Sequence, residues 1–254
     1  MHNNMMLRIE DLINNPTARV PICLCIDTSG SMGAVEGECV LTGKTVFKDG
    51  QNWNIVTGGT SRIDELKKGI KLFYEAIRED EIAVYSAEIC IVTFGSRANC
   101  IIDFANIDRQ DNLPELIANG NTAMGEGVNL ALDLLEKRKK EYQDKGVDYY
   151  QPWLVLMTDG VPNGNPAELN RAISRTVEMV NNKKLTLFPI GIGNDADLQS
   201  LNQFSPNRSA LKLDGLKFKE FFNWLSKSVS KTSQSTPGEN IKLDVDGITG
   251  WAEL

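Results

Sequence analysis

Short runs of unbroken apolar residues alternate with stretches whose apolar positions recur at helical spacing. This alternation limits the fold of the chain more than any other feature. Residues 20–26 are nearly all apolar, the pattern of a strand buried on both faces. Ile63, Leu66, Ile70, Phe73 and Ile77 then fall on one helical face, with Ser61 placed to cap it and Asp64 three residues on. Strands are predicted at 88–94 and 99–104. The short Gly95-Ser96-Arg97-Ala98 link between them implies a hairpin, so one strand should run antiparallel to the rest. The alternation continues with a helix through Val128, Leu132 and Leu135, a strand at 153–157, a helix through Leu169, Ile173 and Val180, and a strand at 185–190. A short helix near 197–204, a small strand near 211–213 and a helix carrying Phe218, Phe221, Phe222 and Leu225 complete the series. Such a chain forms an α/β domain: a doubly wound, mostly parallel sheet with one antiparallel strand and helices on both faces.

Two stretches break the pattern. Residues 33–59 hold two β-prone runs, 44–47 and 53–56, around Asp49-Gly50, and read as an inserted β-hairpin. Residues 226–238 are rich in Ser, Thr and Lys and read as a linker. The expected organisation is an N-terminal extension over 1–17, one domain over 18–230, and a linker and tail over 231–254 that includes Trp251.

The net charge of -7 opposes binding to phosphate backbones, so a nucleic-acid partner is not expected. The densest basic stretch, Lys137-Arg138-Lys139-Lys140, is expected to complement the C-terminus of a helix. No run approaches the ~18 apolar residues of a membrane span, and Arg8, Glu10 and Asp11 interrupt the place of a signal peptide. Of the five cysteines, Cys23, Cys25, Cys39, Cys90 and Cys100, the first two share a strand face one residue apart and make no CxxC pair. They are read as reduced, small hydrophobes in a reducing compartment, the cytoplasm.

Ligands of a doubly wound sheet sit outside the carboxyl ends of its strands. Three clusters of oxygen-bearing residues fall at such ends: Asp27-Thr28-Ser29-Gly30-Ser31 after the first strand, Gly120-Asn121-Thr122 before a helix, and Thr158-Asp159-Gly160 after the 153–157 strand. Hydroxyls from Ser29, Ser31 and Thr122, with carboxylates from Asp27 and Asp159, suit a hard divalent cation that takes six oxygens and keeps several waters. Neutral hydroxyls leave the ion's charge partly uncompensated, so it still attracts an acidic group from a partner. With His2 the one histidine, an imidazole-based zinc site is excluded. Each cluster by itself has a plainer reading as a turn or helix cap. Their joint position at the ends of the right elements favours the metal. Asp244 and Asp246 are read as solvated charges, and Asp195 and Asp197 as acids of a helix's first turn.

The Asp27-x-Ser29-x-Ser31 string, with Thr122 and Asp159 later, resembles the metal-ion-dependent adhesion site of von Willebrand factor A domains. The order of elements over 18–230 is similar too. Ile26 to Met32, Val92-Thr93-Phe94, Asn121 to Gly125 and Leu156 to Gly160 resemble most the bacterial tellurium-resistance proteins of the TerY type. The Asp246-Gly247 to Gly250-Trp251 stretch is also reminiscent of how such chains end. The resemblance implies Ser29, Ser31 and Thr122 as direct or near-direct ligands, with Asp27 and Asp159 acting through waters. It also implies a cation that is Mg²⁺, or Mn²⁺ or Ca²⁺. It further implies a partner protein supplying an Asp or Glu, a kinase or phosphatase of the same stress-response module among the candidates. The chain departs from the pattern at 33–59, where the first helix should begin; the insertion should emerge beside the metal site.

The expected function is therefore metal-dependent protein binding without catalysis. One alternative is a Mg²⁺-dependent phosphohydrolase, but a haloacid-dehalogenase-like site wants a second acid where Ser29 stands, and no histidine or catalytic lysine is in evidence. The other is a subunit of an AAA-ATPase assembly; no GxxxxGK[ST] loop is present, so the ATPase would be a separate chain.

Overall fold

The computed structural model describes residues 15–48, 50–110, 112–193, 196–213, 215–239 and 252–253. The N-terminal extension to residue 14, Asp49, Asp195, Asp244, Asp246 and Trp251 lie outside the described residues.

Strand β1 (Val20–Asp27) is buried along its whole length and pairs in parallel with β4 (Ala87–Phe94) on one side and β6 (Trp153–Thr158) on the other. Beyond β6 lie β7 (Thr186–Ile192) and β8 (Leu211–Leu213), also parallel. Beyond β4 lies β5 (Ala98–Asn106), antiparallel as the short link predicts. A two-residue β9 (Ala252–Glu253) adds a second antiparallel pairing at the far edge, giving the order β5-β4-β1-β6-β7-β8-β9. Strand β9 falls within the tail expected over 231–254.

Alternate residues of β1 enter two cores. Ile22, Leu24 and Ile26 pack with α1 (Arg62–Glu79) and α6 (Phe218–Ser233), through Leu66, Ile70 and Phe73 of the first and Phe221, Phe222 and Leu225 of the second. Cys23 and Cys25 face α3 (Met124–Lys145) and α4 (Pro166–Asn181), through Val128, Leu132 and Ala172. Each such side chain contributes about 1.5–3 kcal/mol of burial, which fixes the register of the sheet. Gly69 lets α1 approach α6: a Cβ there would lie 2.7 Å from the Phe222 ring. Ser61 caps α1 by accepting from the Asp64 backbone N–H at 3.2 Å. Two short helices, α2 (Ala83–Ser86) and α5 (Leu198–Asn202), complete the layers. Asp197 is the N-cap of α5, accepting from the Ser200 N–H at 3.1 Å, one position before the first turn in which the sequence places it.

Two expectations need correction. The Ser/Thr-rich stretch from residue 226 is not a linker up to Ser233 but the last half of α6, with Ser226, Ser228, Thr232 and Ser233 buried. Their hydroxyls donate to carbonyls one turn back, Ser228 to Trp224 at 3.0 Å and Thr232 to Ser228 at 2.8 Å, so polar residues occupy an internal helix face with their hydrogen bonds made. The 137–140 basic stretch lies inside α3, which runs on to Lys145 and ends at Gly146 with φ 66°. Arg138 is buried, its Nε 2.7 Å from Glu88 and its Nη1 2.8 Å from Glu141.

The insertion is a two-stranded sheet of its own, β2 (Val35–Lys48) with β3 (Gln51–Ser61), longer than the two runs predicted and antiparallel as expected. It leaves the domain just after Ser31 and returns into α1. No helix among the described residues is long and apolar enough to cross a membrane.

Candidate metal centre

The carboxyl ends of β1 and β6 lie side by side, since Ile26 pairs with Met157. This register sets Asp27 next to Thr158. The Thr158 hydroxyl donates to Asp27 Oδ2 at 2.5 Å, and the Ser29 backbone N–H donates to Oδ1 at 2.7 Å. Both carboxylate oxygens are thus held, and the side chain is fully buried. Burial pushes the Asp27 carboxyl up to about 6, against the pull of its hydrogen bonds from Ser29 and Thr158; the nearby Asp159 charge adds to the rise.

After Asp27 the chain turns through a single 3-10 turn, Gly30–Gly33. Ser29 stands at its N-cap, but its side chain makes no cap hydrogen bond. Its Oγ lies 3.0 Å from Ser31 Oγ instead, and Ser31 Oγ donates to Asp159 Oδ1 at 2.7 Å. The plain capping reading of the serines therefore does not hold for Ser29. Ser29 and Asp159 are buried while Ser31 is exposed, so the row of oxygens opens to solvent at its Ser31 end.

The Thr122 loop is tied to the same rim by its backbone. Gly30 N–H donates to Gly120 O at 3.0 Å, Asn119 N–H to Thr28 O at 2.7 Å, and Ala123 N–H to Gly95 O at 2.8 Å. Gly120 has φ 81°, and a Cβ on it would stand 2.2 Å from Ser96 Oγ, so this crossing requires glycine. Asn163 clamps Thr122 from the other side, accepting its N–H at 2.7 Å and donating its own backbone N–H to Thr122 O at 3.2 Å. Ala123, not Thr122, is the N-cap of α3, so the Thr122 hydroxyl has no capping duty either.

Three residues of the rim were not singled out from the sequence as site residues. Thr158 stands in the third oxygen-bearing cluster without a role assigned from the sequence, and it fixes Asp27. Arg62, the first residue of α1, donates from Nη1 to Asp159 Oδ2 at 2.9 Å and from Nε to Glu36 Oε1 at 2.7 Å. Desolvation lowers the Arg62 pKa, but the hydrogen bonds it donates to Asp159 and Glu36 outweigh it and hold the guanidinium charged. Glu36 belongs to the base of the inserted hairpin, which is therefore bonded to the site through Arg62. The Arg62 backbone N–H also donates to Ala34 O at 3.0 Å.

The donor set fits a hard cation. Neighbouring ligands of a regular Mg²⁺ octahedron, with oxygens at about 2.1 Å, are about 3 Å apart, the spacing of the Ser29 and Ser31 hydroxyls. Charge points the same way. Asp159 and Glu36 share one guanidinium and Asp27 has none on its oxygens, which leaves the ionised rim with an excess of two negative charges.

A second group of metal-ligating side chains lies away from the rim. Cys90, Cys100 and Asp103 have ligand atoms within 4.8 Å of one another. All five cysteines are free thiols.

The von Willebrand factor type A domain model matches residues 22–222. No curated protein sequence matches the chain. Solved structures with a similar fold include a von Willebrand factor type A protein from Catenulispora acidiphila (18% identity, TM-score 0.57, 85% of this chain and 43% of that one). The PilB minor pilin from Streptococcus sanguinis is also similar (17%, TM-score 0.59, 87% and 64%), as is the pilus adhesin SpaC from Lactobacillus rhamnosus GG (14%, TM-score 0.59, 85% and 31%). The chain spans less than two thirds of each of these proteins, and at such identities the likeness is one of fold.

Proposed function

The chain belongs to the von Willebrand factor type A family, and from that premise we propose that it is a non-enzymatic, metal-dependent module that binds an acidic group of a partner protein. The observation that carries this reading is the solvent-open row of oxygens from Asp27, Ser29, Ser31 and Asp159, set in a rim with two excess negative charges. Thr122, whose loop is strapped to the same rim, completes the donor set. A bound divalent cation, Mg²⁺ first among Mg²⁺, Mn²⁺ and Ca²⁺, supplies a positive centre with an exchangeable position for a carboxylate. The chain's residues do the rest. Thr158 and the Ser29 N–H hold Asp27 in place, Ser31 and Arg62 hold Asp159, and Asn163 holds the Thr122 loop.

The hairpin supports a role in choosing the partner. It rises beside the rim and presents Val40, Leu41, Val46, Phe47, Trp53 and Ile55 to solvent over its two faces, more exposed apolar side chains than a hairpin needs for itself. The TerY-type motif strings support a setting in a bacterial cytoplasmic stress-response module, with a kinase or phosphatase of that module as the partner class.

Affinity capture from host lysate with Mg²⁺, with EDTA and with an Asp27→Ala variant tests the reading. A protein retained only by the Mg²⁺-loaded native chain is the expected result. The same proteins retained in all three conditions would refute the metal clasp.

A further inference from the structure

We propose that Cys90, Cys100 and Asp103 form a second metal site, for a thiophilic divalent cation such as Zn²⁺, on the edge of the sheet. It is separate from the rim and independent of the function proposed above.

The local backbone is what brings these residues together. In β4 and β5, Val92 pairs with Cys100, Ile91 with Ile102, and Ile89 with Ala105. Between the first two pairs, β5 advances two residues while β4 advances one. Between the second two, it advances three against two. Each is an irregularity that adds one residue to β5 and flips the side-chain alternation. Without the first, Asp103 would point to the opposite face from Cys100. With it, Cys100 and Asp103 both reach the face on which Cys90 lies, and the three ligand atoms come within 4.8 Å of one another. Two such shifts in a nine-residue strand are more than hairpin closure requires.

The spacing suits an ion better than a disulfide. Cys90 Sγ and Cys100 Sγ are 4.0 Å apart. Two thiolates bound tetrahedrally at about 2.3 Å from Zn²⁺ are about 3.8 Å apart, so a shift of tenths of an ångström suffices. As diagonal neighbours across two strands, the pair has a spacing of roughly 7–8 Å, at or beyond the ~7 Å that a direct S–S bond spans without backbone movement. Cys23, the cross-strand partner of Cys90, stands beside its thiol. Cys90, burial and Asp103 push the Cys100 thiol up and Lys137 of α3 works against them, so the ion has to displace the thiol proton. Two thiolates and one carboxylate exceed the ion's charge by one, and the lysine offsets that excess. Binding releases the two thiol protons. Cys90 is buried and Cys100 half-buried at the sheet edge, so a fourth coordination position faces the exit to solvent. The site lies four residues below Asp27 along the strands, about 13 Å at strand rise, too far to share an ion with the rim.

Co²⁺ titration into the reduced, metal-stripped full chain reads this site through the near-ultraviolet charge-transfer absorption of thiolate on cobalt, with Zn²⁺ added afterwards to displace it. The expected result is one equivalent with that absorption in the native chain, kept in Asp27→Ala and in Cys39→Ser. It should be lost in Cys100→Ser and bound at least tenfold more weakly in Asp103→Asn. No thiolate absorption in the native chain, or undiminished absorption in Cys100→Ser, would overturn the proposal. Should Cys100→Ser fail to fold by circular dichroism, Asp103→Asn decides, and unchanged affinity there overturns it.

Discussion

Both ends of the parallel sheet bury a carboxylate that meets arginine, and the two ends treat it differently. At the amino end, Glu88 accepts from Arg138 Nε at 2.7 Å and from the Tyr142 hydroxyl at 2.6 Å, and Arg19 Nε stands 3.2 Å away. With Glu141 on the far side of Arg138, two carboxylates meet two guanidiniums and the charges cancel. At the carboxyl end, Asp159 and Glu36 share Arg62, and Asp27 has hydroxyl and backbone donors rather than a cation on its oxygens. The fold balances charge where it closes the sheet and leaves it unbalanced at the opposite rim. The difference separates an ion pair that holds structure from the site proposed for a cation.

The largest effect should come from the balanced end. Glu88→Gln leaves the buried Arg19 and Arg138 facing a neutral amide, and breaking a buried pair in this way costs about 3–5 kcal/mol. Urea denaturation should show that loss, while Mg²⁺ affinity at the rim stays as in the native chain. A loss under about 1 kcal/mol would mean that the amino end is no ion lock and that the two ends differ less than their geometry suggests.

Asp27→Asn should act in the opposite direction. The folded chain holds the Asp27 proton up to about 6, whereas the ordinary value is 3.8. It therefore binds more protons than the unfolded chain over that interval, and stability from this group is full below about pH 4 and lost as pH rises through about 6. At neutral pH the metal-free native chain bears the cost of a buried charge, on the order of 1–3 kcal/mol. Asparagine removes the charge and keeps hydrogen-bonding atoms toward Ser29 and Thr158. Without metal, the variant should be more stable at pH 7 by about that amount, with a flatter stability profile between pH 4 and 7, and Mg²⁺ should no longer stabilise it. Equal stability of the two chains at pH 7 would show that Asp27 carries no uncompensated charge.

These contrasts were only partly legible in the sequence. The Asp27-x-Ser29-x-Ser31 and Thr158-Asp159-Gly160 strings each sit at the end of one strand, where local pattern fixes position, so their convergence followed from the strand order. Arg62 and Glu36 were not legible, because their meeting depends on where a 27-residue hairpin returns, from Val35 to Ser61, and pairing partners at that range leave no local mark. Cys90, Cys100 and Asp103 escaped for a related reason. One shift of register, between Cys100 and Ile102, moves Asp103 to the thiol face, and register belongs to the pair of strands rather than to either one. Residues 226–233 misled because hydroxyl-rich sequence signals a linker only when the backbone is free. Here the buried hydroxyls of Ser226, Ser228, Thr232 and Ser233 are satisfied one turn back, and the face can be buried.

The smallest effect tests whether the charge excess at the rim is collective or belongs to Asp27 and Asp159 alone. Glu36 touches Arg62 and neither of the other carboxylates, and its side chain is 26% exposed, so solvent screens it. If the excess is collective, Glu36→Gln lowers it by one charge and weakens Mg²⁺ binding about twofold, worth about 0.4 kcal/mol, with the difference shrinking as salt rises. Calorimetric titration at two ionic strengths resolves this. Affinity that is unchanged at low salt would confine the excess to the two aspartates and make Glu36 a strap for the hairpin. A tighter Mg²⁺ site in the variant would mean that Glu36 draws Arg62 away from Asp159, so that losing it lets the guanidinium relax, and the hairpin would then tune the rim by position rather than by charge.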